Sequence, residues 1–160
     1  MKQFHALLAF SLVIIFGCNT DSDDSVASVN ITMAFSHYWE GTPVTNSDFN
    51  MLIFTNDKGN VLSIERLRYL ISDIEFTKTN GETILLEGYN LVDVTNQTNL
   101  SFTPDQKILT GTYSNVSFVF GFVNEKNTDG AYNDLNTASW NVPSMLGGGY
   151  HYMQLDGKFL

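Results

Sequence analysis

An alternating series of apolar residues constrains the fold of this chain more than any other feature. Every second residue is apolar, aromatic or histidine over one segment: Val29, Ile31, Met33, Phe35, His37 and Trp39. Side chains of a β-strand point alternately to its two faces. The series therefore predicts a strand with one half-buried face.

Further strand-like runs follow, at residues 51–54, 67–71, 74–76, 83–86, 89–94, 108–112, 115–123 and 150–159. Turn residues separate them, above all the cluster at 56–60 and the pair Asn80-Gly81, which is a strong hairpin signal. No segment has a convincing helical period. We therefore predict an all-β fold, a single antiparallel β-sandwich domain.

Three details of the predicted sandwich can be checked against a structure. The alternation changes parity at Ser72-Asp73, which predicts a β-bulge. Residues 124–139 read as a long polar loop, and the last strand is expected to begin near Tyr150. Six apolar residues, each on one face of an alternating run, are expected to be largely buried: Leu67, Tyr69, Ile71, Phe118, Phe120 and Phe122.

The N-terminus has the features of a bacterial lipoprotein signal. Ala6–Phe16 is an uncharged apolar run, too short for a membrane span but typical of a secretory signal. Residues 15–18, Ile-Phe-Gly-Cys, resemble a lipobox, which predicts cleavage before Cys18 and lipid on that cysteine. An ordinary signal peptide with an unrelated cysteine is the alternative. Cys18 is the only cysteine, and lipidation explains a lone thiol in an exported chain.

These features divide the chain into a signal peptide at 1–17, an acidic flexible tether at 18–28 and one domain at 29–160. We expect lipid anchorage to the outer membrane of the cell envelope. The acidic tether resembles the surface-export signals of some lipoproteins, so the periplasmic face and the cell surface both stay open. Because Leu160 ends within or just after a strand, the domain is expected to be incomplete at its C-terminus.

The charge excludes some partners. The chain has a formal net charge of −9, and loss of Lys2 with the signal would bring it to −10. Such a balance argues against nucleic acid and against a basic lipid-binding patch. The sequence also has no Gly-x-Ser-x-Gly elbow, no HExxH and no phosphate-binding glycine loop. It therefore predicts a protein that is not an enzyme.

Three segments in this order carry a family resemblance: Phe35–Pro43 (FSHYWEGTP), Leu67–Ile74 (LRYLISDI) and Gly147–Gly157 (GGGYHYMQLDG). Behind a lipoprotein signal, they resemble the MbnP-like family of methanobactin-associated, copper-binding lipoproteins. The resemblance covers nearly all of the mature chain. It implies a mainly β domain without hydrolytic chemistry, copper bound through histidines, and a tryptophan oxidised to kynurenine.

The resemblance implies particular residues here. The copper ligands would be His37 and His151, and the tryptophans open to oxidation would be Trp39 and Trp140. His37 and Trp39 lie two residues apart in an alternating strand, so both should leave the same face. The structural alternatives are a strand-end role for His37 and core packing for Trp39 and Trp140.

A weaker signal points to calcium. Residues 125–130 (EKNTDG) place oxygen ligands at alternate positions before a glycine, as in a calcium loop. Glu125 stands where Asp is usual, and Asn136 stands where a bidentate Glu belongs. A solvated polar loop is the simpler interpretation.

Two functions from different classes follow. The first is a non-enzymatic envelope lipoprotein that captures copper, or hands it to a metal-handling partner in the envelope. The second is a surface lipoprotein whose sandwich loops bind a protein or glycan without metal.

Overall fold

The computed structural model describes residues 26–160, and most of their regular structure is antiparallel β-strand. The predicted all-β fold is confirmed. The strands are β1 (Ser28–Val29), β2 (Met33–Ala34), β3 (Tyr38–Trp39), β4 (Thr42–Pro43), β5 (Phe54–Thr55), β6 (Val61–Leu62), β7 (Arg66–Lys78), β8 (Thr83–Asp93), β9 (Ser101–Phe102), β10 (Ile108–Leu109), β11 (Tyr113–Phe120) and β12 (Met153–Asp156). One α-helix, α1 (Asn133–Thr137), and two 3₁₀ turns, Asn46–Asp48 and Ser144–Leu146, complete the list.

The long strand β7 is the centre of the main sheet. β8 pairs along one edge, while β11 and β12 pair with successive parts of β7. The hairpin between β7 and β8 turns at Asn80-Gly81, as predicted. Gly81 has a φ of 89° and its N–H donates to the Lys78 carbonyl at 2.9 Å. This positive φ is one that glycine adopts without steric cost.

The parity change in β7 is a bulge, which confirms that prediction. The pairing of β7 with β8 shifts register between Ser72 and Ile74, and Asp73 has a φ of 50°. The Ser72 hydroxyl donates to the Gly121 carbonyl at 2.7 Å, and Lys126 forms an ion pair with Asp73. The bulge therefore ties the start of the 124–139 loop to the central strand.

The first segment alternates as predicted, although its regular strands are short. From Ile31 to Trp39 the odd-numbered residues are partly buried and the even-numbered ones are exposed. Ladder pairing is interrupted, because β2 pairs with β9 whereas β3 pairs with β4 in its own hairpin. Side-chain direction follows the extended backbone and does not require a continuous ladder.

The core consists of three apolar clusters. The first two lie where the N-terminal segment packs on the main sheet, and the third lies around the fully buried Trp140. Their buried members are Phe49, Phe54, Ile64, Val92 and Val94; Ile71, Ile74, Phe76, Leu86 and Ile108; and Leu70, Leu135, Trp140 and Tyr150.

The burial prediction is wrong for β11. Ile71 is buried and Leu67, Tyr69 and Phe122 are partly buried, but Phe118 and Phe120 are 55% and 45% exposed. β11 pairs only with β7 among the residues described, so apolar side chains at this edge have little covering them. Alternation predicts which side chains share a face, whereas burial requires a second layer over that face.

Two further differences lie in the C-terminal third. The predicted polar loop contains α1, a single helical turn stabilised by its buried Leu135. The last strand begins at Met153 rather than near Tyr150, after a bend at Tyr152. Within residues 26–160, no helix is long and apolar enough to cross a membrane. The predicted signal peptide and Cys18 lie outside the described residues.

Candidate metal centre

His37 lies in the inward-facing series of the first segment, beside the central strand. Its Nε2 is 2.8 Å from the Tyr69 hydroxyl, and the two ring centroids are 5.6 Å apart. The His37 carbonyl accepts a hydrogen bond from the Val44 N–H at 2.8 Å, which fixes the backbone next to the β3–β4 hairpin. The imidazole is therefore held by a side chain that is 32 residues away in sequence.

Burial lowers the pKa of His37 below its ordinary value of 6.5, because desolvation disfavours the imidazolium. The neutral ring is the form that binds a metal ion. Because the Tyr69 hydroxyl engages Nε2, Nδ1 is the ring nitrogen left to bind a metal ion, and its lone pair is free when Nε2 carries the ring proton and donates it to Tyr69.

This shift predicts a pH dependence of stability. A folded pKa below the unfolded value means that the unfolded chain binds protons first as the pH falls. The contribution of neutral His37 should therefore be complete above about pH 6.5 and decline below it. Urea unfolding between pH 7.5 and 5 should show this decline, with a smaller slope in His37→Asn. An identical slope in the variant would contradict the assignment.

His151 lies against the other candidate tryptophan. The backbone N–H of His151 donates to the Trp140 backbone carbonyl at 3.1 Å, and the imidazole meets the indole edge-on with ring centroids 5.9 Å apart. The guanidinium of Arg68 lies 5.1 Å from the centroid of the Trp140 ring. Trp140 is thus enclosed between a histidine and an arginine in a fully buried position.

Three consecutive glycines lie shortly before His151 in the chain. Gly147, Gly148 and Gly149 have φ values of 113°, 71° and 75°, in the left-handed region. At the end of this run the Tyr150 N–H donates to the Asn127 side-chain oxygen at 2.8 Å. The backbone before His151 is therefore fixed by the 124–139 loop as well as by Trp140.

Both histidines approach the same part of β7. His37 contacts Tyr69, while Trp140, the neighbour of His151, packs in one cluster with Leu70. Successive residues of a strand project to opposite faces. The contacts thus assign the two rings to surroundings on different sides of β7, and the prediction that they share one ion stays a prediction.

The remaining predicted donors can also be located. Trp39 is partly buried, and its indole N–H donates to the Thr55 carbonyl at 3.1 Å. Residues 26–160 contain no group of three or more His, Cys, Asp or Glu side chains arranged to hold a metal ion.

In the predicted calcium loop, the Asn127 side-chain oxygen accepts from the Tyr150 backbone N–H, and Asp129 accepts from the Ser144 hydroxyl at 3.4 Å. The calcium site also stays a prediction.

Sequence reasoning did not identify Tyr69 and Arg68 as neighbours of the candidate ligands. Tyr69 was expected in the core, and its hydroxyl is the group that needs a partner when partly buried. Arg68 lies between apolar residues of β7, and a charged side chain in such a strand is expected to have an interaction partner when it is buried. Neither signal says which residue the partner is, because these contacts are long-range.

Comparison with known proteins supplies the family. No curated protein and no solved structure is significantly similar to the chain. The family model described as MbnP matches residues 28–160, which is all of the domain discussed above. This chain belongs to the MbnP family.

Proposed function

We propose that this protein is a non-enzymatic lipoprotein of the cell envelope that binds copper, with His37 and His151 as imidazole ligands, each on its own side of β7. Membership of the MbnP family is the observation that carries the proposal, because the family suggests an association with copper and methanobactin. Imidazole suits copper as a ligand. The protein would capture the ion or pass it to a metal-handling partner in the envelope.

The surroundings of His37 support this role. Its lowered pKa favours the neutral imidazole, so copper would not have to compete with a proton at neutral pH. Tyr69 restrains the ring from the side, which reduces the freedom that metal binding would otherwise have to remove. A positioned, neutral imidazole is what a capture site requires.

The surroundings of His151 support a second ligand next to a tryptophan. The backbone hydrogen bond to Trp140 and the edge-on ring contact hold the imidazole beside the indole. Trp140 is therefore the tryptophan adjacent to a candidate ligand, whereas Trp39 is the more accessible one. Mass spectrometry of the peptides containing each would show whether either is converted to kynurenine.

Copper titration tests the ligands. We expect His37→Ala and His151→Ala each to weaken copper binding by about tenfold or more, because each removes an imidazole ligand. A tenfold loss of affinity corresponds to ~1.4 kcal/mol of binding free energy. The double variant should bind weakest. Met145→Leu is the matched control, because it removes a thioether that is 92% exposed and outside the proposed site. Equal copper affinity in all variants would remove these histidines from the proposal and favour the interaction lipoprotein.

The envelope location has a separate test at Cys18. In cells, Cys18→Ser should abolish incorporation of labelled fatty acid and move the protein out of the membrane fraction. The physical reason is that the acyl chains, rather than the acidic domain, would supply the affinity for the bilayer. Ser22→Ala, in the proposed tether, is the control and should remain in the membrane fraction. Unchanged membrane association of Cys18→Ser would refute the lipid anchor.

A further inference from the structure

A recess of about 300 Å³ lies beside Trp39, and neither candidate copper ligand lines it. The β3–β4 hairpin, the 3₁₀ turn and β5 form its walls. The residues that matter for its chemistry are Trp39, Glu40, Asp48, Ile53 and Phe54. Its size is at the lower end of the range for small-ligand pockets.

The wall of the recess combines a fixed aromatic ring with apolar surface. The Trp39 indole packs on Phe54 with ring centroids 5.2 Å apart, and the indole N–H donates a hydrogen bond to the Thr55 carbonyl. Ile53, which also lines the recess, is 52% exposed. The face of an indole attracts cations, because its π-system concentrates negative charge there.

Two carboxylates in the same recess lack a counter-charge among the described residues. Asp48 accepts hydrogen bonds from the N–H and hydroxyl of Thr45, both at 2.7 Å, and these bonds lower its pKa. Asp48 is therefore ionised at neutral pH. Over residues 26–160, the ion pairs do not include Asp48 or Glu40.

The recess on the other side of Trp39 provides a contrast. It is lined mainly by apolar atoms, including those of Leu62, Leu155 and Phe159. The charges around it are neutralised in pairs, Arg66 with Asp156 at 3.4 Å and Lys158 with Glu65. Uncompensated negative charge around Trp39 thus lies on the side that carries Glu40 and Asp48.

We propose that the recess of Trp39, Glu40 and Asp48 binds an organic cation, an ammonium or guanidinium group on an apolar stem. The carboxylates neutralise the cation, and the cation lies over the face of the Trp39 indole. The apolar stem packs on the apolar side chains of the recess, Ile53 and Phe54. A net charge of −9 over the chain raises the local concentration of such cations. The group could belong to a free amine or to a Lys or Arg side chain of a peptide.

The test is a titration with n-butylammonium and n-butylguanidinium, following the Trp39 indole N–H by NMR. We expect saturable shifts for both cations and none for neutral n-butanol. Binding should weaken about tenfold or more in the double variant Glu40→Gln/Asp48→Asn, and it should weaken with added salt. The amide oxygen that replaces the Asp48 carboxylate can still accept from Thr45, so the turn should stay folded.

Glu87→Gln/Asp105→Asn is the matched control. It removes two carboxylates from a different recess, near Tyr89, and should leave binding at Trp39 unchanged. A lysine peptide that binds at least tenfold more tightly than butylammonium would identify a protein as the source of the cation, and comparable affinity would identify a free amine. Equal binding in wild type and the Glu40/Asp48 double variant, or no saturable shift, would overturn the proposal. These variants leave His37 and His151 intact, so the copper result is independent.

Discussion

Trp140→Ala should lower the free energy of unfolding by about 3–5 kcal/mol, the cost of truncating a buried aromatic side chain. Trp140 has no exposed surface and packs with Leu70, Leu135 and Tyr150. The substitution also removes the ring beneath the Arg68 guanidinium. Urea denaturation at neutral pH is the measurement.

Two companion variants make this result specific. Trp140→Phe should cost less than Trp140→Ala, since a ring is retained and the lost indole N–H has no hydrogen-bond partner within residues 26–160. Tyr38→Ala removes an aromatic ring that is 60% exposed and should cost about 1 kcal/mol or less. If Trp140→Ala and Tyr38→Ala were equally stable, the assignment of Trp140 to the core would be wrong.

Gly149→Ala should destabilise the protein by about 2–5 kcal/mol, for two reasons that add. The backbone φ of 75° costs a residue with a Cβ roughly 1–2 kcal/mol. The new Cβ would also lie 2.8 Å from both the carbonyl and the side-chain oxygen of Asn127. Displacing that loop is an overpacking strain of ~1–3 kcal/mol.

Neighbouring glycines separate the two contributions. Gly148→Ala has a similar φ of 71° but meets Asp129 at ordinary contact distance, so it should show the backbone cost alone. Gly111→Ala has open space and no positive φ, and it should be nearly neutral. Urea unfolding gives the energies, and the NMR signals of His151 report whether the loop moved. Equal energies for Gly148→Ala and Gly149→Ala would show that the Asn127 contact does not matter.

Local sequence patterns predicted local structure well. Asn80-Gly81 sets a tight turn because glycine tolerates the required φ, and the turn then fixes the register of β7 against β8. The parity change at Ser72-Asp73 predicted a bulge, since one extra residue inverts the faces of all residues after it. The helix α1 was missed because five residues are too few to display a helical period.

The candidate site was only partly predictable. The sequence singled out His37, His151, Trp39 and Trp140 as chemical types, chiefly through the family resemblance. It did not supply Tyr69 as the partner of His37, or the enclosure of Trp140 between Arg68 and His151. These contacts join residues far apart in the chain, so no spacing rule relates them.

Local sequence patterns are sufficient to predict an antiparallel β fold, its main hairpin, the bulge in the central strand and the inward series from Ile31 to Trp39. Each depends on backbone geometry and side-chain alternation within a few residues. Long-range packing leaves Phe118 and Phe120 exposed and buries Trp140, and it gives the two histidines different neighbours beside β7. These features could not be predicted locally, because burial and ligand geometry depend on which layer covers a face, and that layer comes from distant parts of the chain.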